Sequence, residues 1–431
     1  MRIAIESYGC SANMNDAEIM KGMLEDEHTI SDNANLVIVN SCTVKGPTEK
    51  KILKSIKSHL DNDKRVIVTG CMAESQHEML LSWFPQISII GPDHIDSIDE
   101  HLYKSNNTVI IGKRFLDKPS LKQKSGNVVS GIIQISRGCD SACSYCITKA
   151  AKGHILSYPM QSIVERAGML IDEGKKELWI ASQDNTAYGI DSYSMPMLPN
   201  LLKRILRIEG DFMIRNGMGN PHNLLFCIDS LIDVYKHPKM YKFLHIPLQS
   251  GSQKIIDNMR RRHTIEDHKY IISRFRNAIP NITIATDIIY GYPGETDDDF
   301  MMTLSILEEM NFDIVNISRF WPRPGTSASR LDMLPSHILS DRGSKITRLF
   351  RKLSLKKNSA WIGWRGPILL CEKGKHNSMV GRNEYYKHIV LSSEEITRNN
   401  NEIFIGDKVM VEIIGCDTFH LKAKIIGGYN D

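Results

Sequence analysis

The sequence predicts an α/β protein with two successive parallel-sheet domains and a small C-terminal β-barrel. Three short runs rich in Val and Ile lie near the N-terminus, "RIAIESYGC", "NLVIVNSC" and "RVIVTGC". From about residue 128, six further strand patterns alternate with helical ones. After Gly366 the pattern changes to short alternating runs. Alternation of strands and helices favours parallel sheets covered by helices, and the short runs favour a barrel.

The first domain, residues 1–105, is predicted to bring three distant cysteines together. Its three Val- and Ile-rich runs end at Cys10, Cys42 and Cys71, which are 32 and 29 positions apart. Because ligands gather at the carboxyl ends of parallel strands, we expect these cysteines to meet at one edge of the sheet. A helix is expected to follow Cys10, with Asn15 or Asp16 as its N-cap.

The second domain, residues 128–360, is predicted to be a barrel of six βα steps or part of one. Its strand patterns are "GIIQIS", "ELWIAS", "DFMIRNG", "FLHIPLQ", "ITIATDIIYG" and "IVNISRFWP". Residues 104–127, which contain turn formers and few large apolar side chains, are interpreted as a linker. In a barrel of this kind, chemistry belongs to the loops that follow the strands.

The C-terminal part combines a basic helix with the small β module. Residues 342–365 hold eight basic residues and no acidic one, and their apolar residues fall near helical spacing. Residues 366–428 are predicted to form the barrel. A cationic face next to a small barrel would suit a nucleic-acid partner, although an ordinary solvated helix face explains the same charges.

Composition excludes several classes of protein. The chain of 431 residues is 42% hydrophobic and 24% charged, as expected for a globular protein of two or three domains. No apolar run approaches the length of a membrane span, and "MRIAIESYGC" lacks the layout of a signal peptide. A cytoplasmic protein without a membrane partner is therefore expected, and its nine cysteines should be reduced. The net charge of +4 permits a nucleic-acid partner without requiring one.

A second group of cysteines stands in "RGCDSACSYC", at Cys139, Cys143 and Cys146. A structural zinc would need a fourth ligand close by, and none follows in the sequence. An iron–sulfur cube held by three thiolates leaves one iron open, which can bind S-adenosylmethionine. This CxxxCxxC spacing is the signature of radical S-adenosylmethionine (radical SAM) enzymes. A zinc site completed from elsewhere, or a chance cluster, remains the alternative.

Taken together, the motifs resemble those of the radical SAM methylthiotransferases over almost the whole chain. "YGCSANMNDAE", "VNSCTVK" and "VTGCMAE" resemble the N-terminal cysteine motifs of that family. "GCDSACSYC", "LHIPLQSGS", "NMRRRHT", "GYPGET" and "FWPRPGTSAS" resemble its radical domain. The resemblance implies a partial (β/α)6 TIM barrel and a C-terminal TRAM domain. It also implies two [4Fe–4S] clusters, the auxiliary one on Cys10, Cys42 and Cys71. Buried strand-end cysteines without a metal are the alternative for this trio.

The resemblance also implies a mechanism. One S-adenosylmethionine gives its methyl group to a sulfur on the auxiliary cluster. A second is cleaved reductively at the other cluster, and its radical removes a hydrogen from an unreactive C–H bond of the substrate. The substrate carbon then takes the methylated sulfur. Cofactors carry this chemistry because no side chain could activate such a bond.

Family members act either on adenosines beside the anticodon of tRNA or on an aspartate of a ribosomal protein. "IRNGMGNPHNL" and "RGCDSACSYCITKAAKGHILSYP" resemble the archaeal and eukaryotic branch that acts on N6-threonylcarbamoyladenosine. "GKKELWIASQDNTAYG" resembles that branch and the ribosomal-protein enzymes alike. Alternative substrates are therefore the ribosomal-protein aspartate and isopentenyladenosine in tRNA. Since eukaryotic members carry a C-terminal membrane anchor and this sequence stops at Asp431, the archaeal form is expected.

Further residues are expected around the cofactor, by resemblance to the family. The expected S-adenosylmethionine contacts are Tyr145, Gln183, Gln249, Ser250, Arg261, Gly291 and Pro293. Arg261 could pair with the cofactor carboxylate, which suits a guanidinium fork. Tyr145 is equally explained as a core aromatic, and Arg261 as a surface or phosphate contact.

The expected partners are tRNA and an electron donor of the flavodoxin or ferredoxin kind, while the sulfur source stays open. RNA contacts are expected from the basic helix and from the β module, at Lys373, Lys375, Tyr385 and Tyr386 and at Arg382 and Lys387. The hypothesis from another class is a non-catalytic iron–sulfur or zinc protein that only binds RNA.

Overall fold

The computed structural model describes residues 1–44, 46–104, 107–398 and 403–428. Residues 105 and 106, on which the first expected boundary and part of the expected linker fall, lie outside the described residues, as do residues 429–431. None of the helices in these described ranges is both long and apolar enough to cross a bilayer.

The N-terminal domain is a six-stranded parallel sheet covered by helices, with the strand order β2-β1-β3-β4-β5-β6. Two apolar clusters, one on each side of the sheet, form its core. Its elements are β1 (Arg2–Ser7), α1 (Ser11–Leu24), β2 (Thr29–Ile30), β3 (Leu36–Ser41), α2 (Gly46–Asp61), β4 (Arg65–Gly70), α3 (Cys71–Ser75), α4 (His77–Trp83), β5 (Ser88–Ile90), α5 (Ile98–His101) and β6 (Val109–Ile110).

Two expectations for this domain were wrong. Helix α1 begins at Ser11 with Cys10 as its N-cap, so Asn15 and Asp16 lie inside the helix, both buried. Their side chains pair with the second domain instead of capping. The stretch interpreted as a linker contains β6, which pairs in parallel with β5 and completes the sheet. A strand as short as Val109–Ile110 gives no recognisable sequence pattern among the turn formers that surround it.

The second domain contains six parallel strands in two three-stranded sheets, β11-β10-β7 and β12-β13-β14, which a backbone bridge from Ile214 to Met240 connects. The predicted partial barrel and its six strands are confirmed. Its elements are β7 (Ser130–Gln134), β8 (Ser136–Arg137), α6 (Thr148–Lys152), β9 (Leu156–Ser157), α7 (Met160–Asp172), β10 (Glu177–Ala181), α8 (Ile190–Tyr193), α9 (Leu198–Leu206), β11 (Met213–Asn216), α10 (Pro221–Leu225), α11 (Ile228–Tyr235), β12 (Phe243–His245), α12 (Gln253–Asn258), α13 (Ile265–Ala278), β13 (Thr283–Tyr290), α14 (Asp297–Met310), β14 (Ile314–Arg319) and α15 (Ser336–Ser359).

The basic helix α15 is longer at its start than predicted and ends before Arg365. The closed C-terminal barrel that follows has the strand order β15-β16-β17-β19-β18, as the alternating runs predicted. Its elements are β15 (Arg365–Lys373), β16 (Met379–Arg382), β17 (His388–Leu391), α16 (Ser393–Arg398), β18 (Lys408–Cys416) and β19 (Leu421–Gly428).

The C-terminal barrel is fixed to the second domain by buried polar and aromatic contacts. Tyr386 lies 4.9 Å from the rings of both Tyr241 and Phe243. Arg382 pairs with Glu177 at 3.2 Å, and Lys387 pairs with Asp313 at 2.7 Å. The expected RNA contacts of Tyr386, Arg382 and Lys387 were therefore wrong, because these side chains are buried between the domains.

Candidate active site

The cysteine trio of the second domain lies in a loop that follows β8, at the carboxyl side of the first barrel strand. The Cys139 amide donates to the Gly153 carbonyl at 3.2 Å, and the Cys146 amide donates to the Cys143 carbonyl at 3.2 Å. Gly138, with φ +72°, has no room for a side chain, since a Cβ there would lie 2.0 Å from the His154 carbonyl oxygen. The loop that carries the three cysteines is thus fixed by contacts of its own backbone.

Two of these sulfurs already accept hydrogen bonds from backbone amides. Ser141 donates to the Sγ of Cys139 and Thr148 donates to the Sγ of Cys146, each at 3.4 Å. Burial, helped by the charge of Asp184, raises the pKa of Cys139 to about 11, and burial also raises the pKa of Cys146. Without a metal the thiols of Cys139 and Cys146 therefore keep their protons at neutral pH, and metal binding would release them.

Arg261 and Tyr145 lie against the trio. Arg261 donates from Nη1 to the Sγ of Cys143 at 3.6 Å and from Nη2 to the Pro247 carbonyl at 3.3 Å. Burial lowers the pKa of Arg261, and the neighbouring Tyr145 and Cys143 raise it by more. The pKa is therefore higher than usual, and Arg261 stays charged. Tyr145 packs against an apolar cluster that includes Met259. Its ring therefore packs as a core aromatic does, while its electrostatic neighbours are Arg261 and Cys143.

Several residues expected to contact the cofactor have buried polar atoms without a hydrogen-bond partner in the described ranges. The Oε1 atoms of Gln183 and Gln249 and the Nε of Arg261 have no hydrogen-bond partner within the described ranges of the chain. Gln249 is held in place by its backbone, which pairs with Asp287 and Ile289 at 2.8 and 2.9 Å. Buried polar atoms of this kind are normally satisfied by a ligand or by water, so the residues fit a bound polar cofactor.

The other expected contacts turn toward the protein. Ser250 is buried and its hydroxyl lies 3.3 Å from that of Thr303, on α14. At Gly291 the amide donates to Glu295 at 2.8 Å, and the direction of an added Cβ meets Leu339 of α15. Pro293 is buried in the same turn. These three residues therefore shape the backbone around the site.

Two residues that sequence reasoning did not single out support the cysteine loop. Asn220 caps α10, where its side chain accepts from the His222 amide and donates to the hydroxyl of Ser141 at 2.9 Å. Asp184 is buried and accepts hydrogen bonds from Thr186, the Asn220 amide at 2.9 Å and Asn223 at 2.8 Å. The segment "GMGNPHN", in which Asn220 stands directly before a proline that begins a helix, is the signal that could have found this residue.

The first-domain trio is brought together as the strand pattern predicted. Strands β1, β3 and β4, which precede Cys10, Cys42 and Cys71, are direct neighbours in the sheet. At Gly9, with φ +105°, an added Cβ would lie 2.6 Å from the Sγ of Cys42. Asn13 contacts Cys71, with 3.7 Å between Oδ1 and Sγ, and donates to the Ser41 carbonyl at 2.8 Å. Residues far apart in the sequence thus form one site.

The three thiols of the first-domain trio are electrostatic neighbours. Burial raises the pKa of Cys71 to about 12, and the charges of Cys10 and Cys42 raise it further.

Helix α6 connects the two trios. It begins two residues after Cys146 and packs against α3, which begins at Cys71. The helix has five residues, which corresponds to about 7.5 Å of rise. Its last residue, Lys152, is buried and pairs with Asp16 of α1 at 3.3 Å. The two cysteine sites are therefore close neighbours on a shared interface between the first and second domains.

Comparison with known proteins identifies the family. Residues 133–307 match the Radical SAM superfamily, and residues 2–91 match the uncharacterized protein family UPF0004. The chain is 37% identical over 432 residues to a probable threonylcarbamoyladenosine tRNA methylthiotransferase of Archaeoglobus fulgidus, covering 99% of both chains. The chain belongs to the threonylcarbamoyladenosine tRNA methylthiotransferase family. A human relative of the same family is 34% identical over 443 residues, which cover 98% of this chain and 74% of that protein.

Solved structures with a similar fold support the radical SAM architecture of this methylthiotransferase family member. A radical S-adenosylmethionine methyltransferase from Kitasatospora setae, solved with cobalamin and a [4Fe–4S] cluster, matches with a TM-score of 0.54 and 14% identity over 76% of each chain. A cobalamin-dependent S-adenosylmethionine radical enzyme matches with a TM-score of 0.52 and 10% identity over 81% of this chain and 56% of the other. At these identities the likeness concerns the fold alone.

Membership of the radical SAM superfamily implies an iron–sulfur cluster and S-adenosylmethionine. The residues fit this requirement, because Cys139, Cys143 and Cys146 offer three thiols in one loop and the polar atoms of Gln183 and Gln249 beside the barrel strands lack partners within the described ranges. These groups lie at the carboxyl end of the barrel strands, where this architecture carries its chemistry.

Proposed function

We propose that this enzyme converts N6-threonylcarbamoyladenosine next to the anticodon of tRNA to its 2-methylthio derivative. The proposal includes two [4Fe–4S] clusters, one on Cys139, Cys143 and Cys146 and an auxiliary one on Cys10, Cys42 and Cys71. The observation that carries it is the position of α6, which begins beside one trio and ends beside the other. The relatives named above support the substrate, because they are named for that nucleoside.

The first cluster, when present with S-adenosylmethionine, supplies reductive cleavage of a carbon–sulfur bond, which no side chain can perform. The chain's own groups bind and orient. Arg261 keeps a positive charge beside Cys143 and suits the carboxylate of the cofactor, which its fork can bind through two hydrogen bonds. Gln183 and Gln249 each offer a buried carbonyl oxygen to the ammonium or hydroxyl groups of the same ligand.

The RNA-binding surface in this proposal is the exposed face of α15. Arg342 is buried there and pairs with Glu295 at 2.6 Å, so it does not contribute. Arg348 and Arg351, however, line an open groove of about 560 Å³ together with Tyr290, the last residue of β13. Lys352 and Lys356 are exposed on the same helix. Cations next to the strand ends would hold the phosphates of the substrate near the cofactor.

Two further elements of the proposal concern the surroundings of the enzyme. We place the reaction in the cytoplasm, since the nine cysteines are all unpaired and the use of six of them as metal ligands requires a reducing compartment. The electron is proposed to come from a protein donor of the flavodoxin or ferredoxin kind, because reductive cleavage consumes an electron that the chain's own side chains do not supply.

Anaerobic reconstitution tests the two clusters. We expect about eight irons per chain, from two four-iron clusters, and 5′-deoxyadenosine when dithionite is added. Cys71→Ala should lower the iron content to about four while leaving 5′-deoxyadenosine formation in place, and Cys143→Ala should abolish that formation. Zinc in place of iron would instead support a non-catalytic RNA-binding protein.

The substrate is tested by mass spectrometry of tRNA nucleosides from a deletion strain. The 2-methylthio-threonylcarbamoyl nucleoside should disappear and return when the gene is restored, but not when a Cys143→Ala gene is supplied. Persistence of that nucleoside, with loss of a methylthio group from a ribosomal-protein aspartate or from isopentenyladenosine, would show one of the alternative substrates to be correct.

A further inference from the structure

The first-domain cysteine trio is flanked by two buried cations that both come from the second domain. Lys152, at the end of α6, and Arg323, in the loop after β14, are 2% and 4% exposed. Buried cations are rare unless they are paired or serve a site. Each of them has a partner in the first domain. Each also acts electrostatically on the trio, Lys152 on Cys71 and Arg323 on Cys42.

Lys152 is connected to the trio through two side chains of α1. Its Nζ lies 3.3 Å from Oδ2 of Asp16, which also pairs with Lys118 and accepts from Gln134 at 2.7 Å. Asp16 stands one helical turn after Asn13, whose Oδ1 contacts the Sγ of Cys71. Two ammonium groups therefore share one carboxylate, so a positive charge remains at this wall of the site. Burial lowers the pKa of Lys152. The charges of Asp16, Cys71 and Cys10 raise it by more, so that the pKa is higher than usual.

Arg323 lies against the first turn of α2, the helix that follows Cys42. Its Nη1 pairs with Glu49 of α2 at 2.6 Å, and Trp321 packs against Gly46, where that helix begins. The second guanidinium nitrogen, Nη2, is buried and has no hydrogen-bond partner in the described part of the chain. The charge of Arg323 acts on the pKa of Cys42, which burial raises. An unused donor on a buried cation points to an anionic ligand.

We infer that Lys152 and Arg323 are positioning residues that hold an anionic sulfur ligand, of the hydrosulfide class, at the auxiliary cysteine trio. The inference rests on the proposed auxiliary cluster, whose open iron would take the sulfur atom. Hydrosulfide enters as a ligand that donates an electron pair, so no covalent bond of the protein breaks and no oxidant is needed. The first domain supplies the thiols and the second domain supplies the charge, which completes the site only when the two domains are docked.

Sulfide titration of the auxiliary cluster tests this inference. The full-length chain with Cys139, Cys143 and Cys146 all replaced by Ala is reconstituted anaerobically, so that only the first-domain trio can hold iron. Sodium sulfide is then added, and binding is followed by the electron paramagnetic resonance spectrum of the reduced cluster. Further substitutions in this chain are Lys152→Gln and Arg323→Gln, with Lys149→Gln on the same helix as the matched control.

We expect all variants to keep about four irons per chain. Sulfide affinity should fall about tenfold or more for Lys152→Gln and for Arg323→Gln, because each substitution removes a charge-assisted hydrogen bond to the anion. It should be unchanged for Lys149→Gln and largely kept for Lys152→Arg. Sulfide affinity should rise for Asp16→Asn, since the ammonium groups lose their counter-charge.

The outcomes separate this inference from the proposed function. If the chain with the three Ala substitutions binds no iron, the auxiliary cluster of the proposed function is wrong, and the inference fails with it. If iron is present and both Gln variants bind sulfide as tightly as their parent, the cluster stands and the inference alone is overturned. Should Lys152→Gln fold poorly, Arg323→Gln and Asp16→Asn still give opposite expected shifts.

Discussion

Arg261 donates a hydrogen bond from Nη1 to the Sγ of Cys143, 3.6 Å away. Because its Nη2 is fixed by the Pro247 carbonyl at 3.3 Å, the guanidinium plane is held in one orientation. Its Nε stays without a partner among the residues that the structure describes. This side chain therefore joins the cysteine loop to the end of the fourth barrel strand, and its Nε remains available to a ligand.

Replacing Arg261 by Lys should weaken S-adenosylmethionine binding about tenfold or more, since a lysine keeps the charge but loses the planar fork. Iron content should not change, because the three cysteines remain. Equilibrium binding to the reconstituted enzyme measures the effect. The neighbouring Arg260 is exposed, so Arg260→Lys is the matched control and should bind the cofactor normally. Equal affinity in both variants would remove Arg261 from the cofactor site.

Asn220 is predicted to stabilise the cysteine loop at a distance from the sulfurs. Asn220→Ala removes the cap of α10 and the 2.9 Å hydrogen bond to Ser141. The substitution should cost about 1–2 kcal/mol of unfolding free energy and reduce the iron retained after mild chelation. Urea unfolding and an iron assay measure the two effects. In Asn220→Asp the side chain still caps the helix, so stability should recover while the bond to Ser141 is altered.

The core strands of the second domain were predictable because hydrophobic periodicity is local. The same holds for the edge of the first-domain sheet at which its three cysteines meet. The strand pattern ending at Cys10, Cys42 and Cys71 was enough to predict their meeting, since parallel neighbours end at the same edge. Cysteine spacing likewise predicts a metal centre on Cys139, Cys143 and Cys146, which stays a prediction. Each of these predictions depends on a few neighbouring residues and not on how the domains dock.

Contacts between domains were not predictable from the sequence. Asp16 resembles a helix cap in sequence, yet it is buried and pairs with Lys152 of the second domain, which lies 136 positions further along the chain. Tyr386 was expected to stack on RNA bases and Lys387 to attract RNA, yet both are buried against the second domain. A polar residue gives no sequence signal for a distant partner, so solvent exposure was the default expectation.

The aromatic contact that holds the C-terminal barrel should therefore be important for stability. Tyr386→Ala removes a buried ring that packs against Tyr241 and Phe243, with a cost of about 3–5 kcal/mol expected for a buried aromatic. Tyr385, which packs 5.2 Å from Trp361 and is partly exposed, is the comparison, and Tyr385→Ala should cost less. Chemical denaturation measures both. Similar costs would contradict the unequal burial of the two rings.

The groove beside α15 gives the prediction that concerns the RNA. Arg348 and Arg351 line it, and neither has an ion-pair partner within the described ranges. If both bind phosphates, the double change to Gln should weaken tRNA binding and reduce the slope of log affinity against log salt by about 1 for each phosphate that is no longer neutralised. Filter binding at several salt concentrations measures the slope. Lys203 and Arg204 are exposed on α9, and their double change to Gln is the matched control. An unchanged slope in the Arg348 and Arg351 variant, or an equal reduction in the control, would move the RNA-binding surface away from α15.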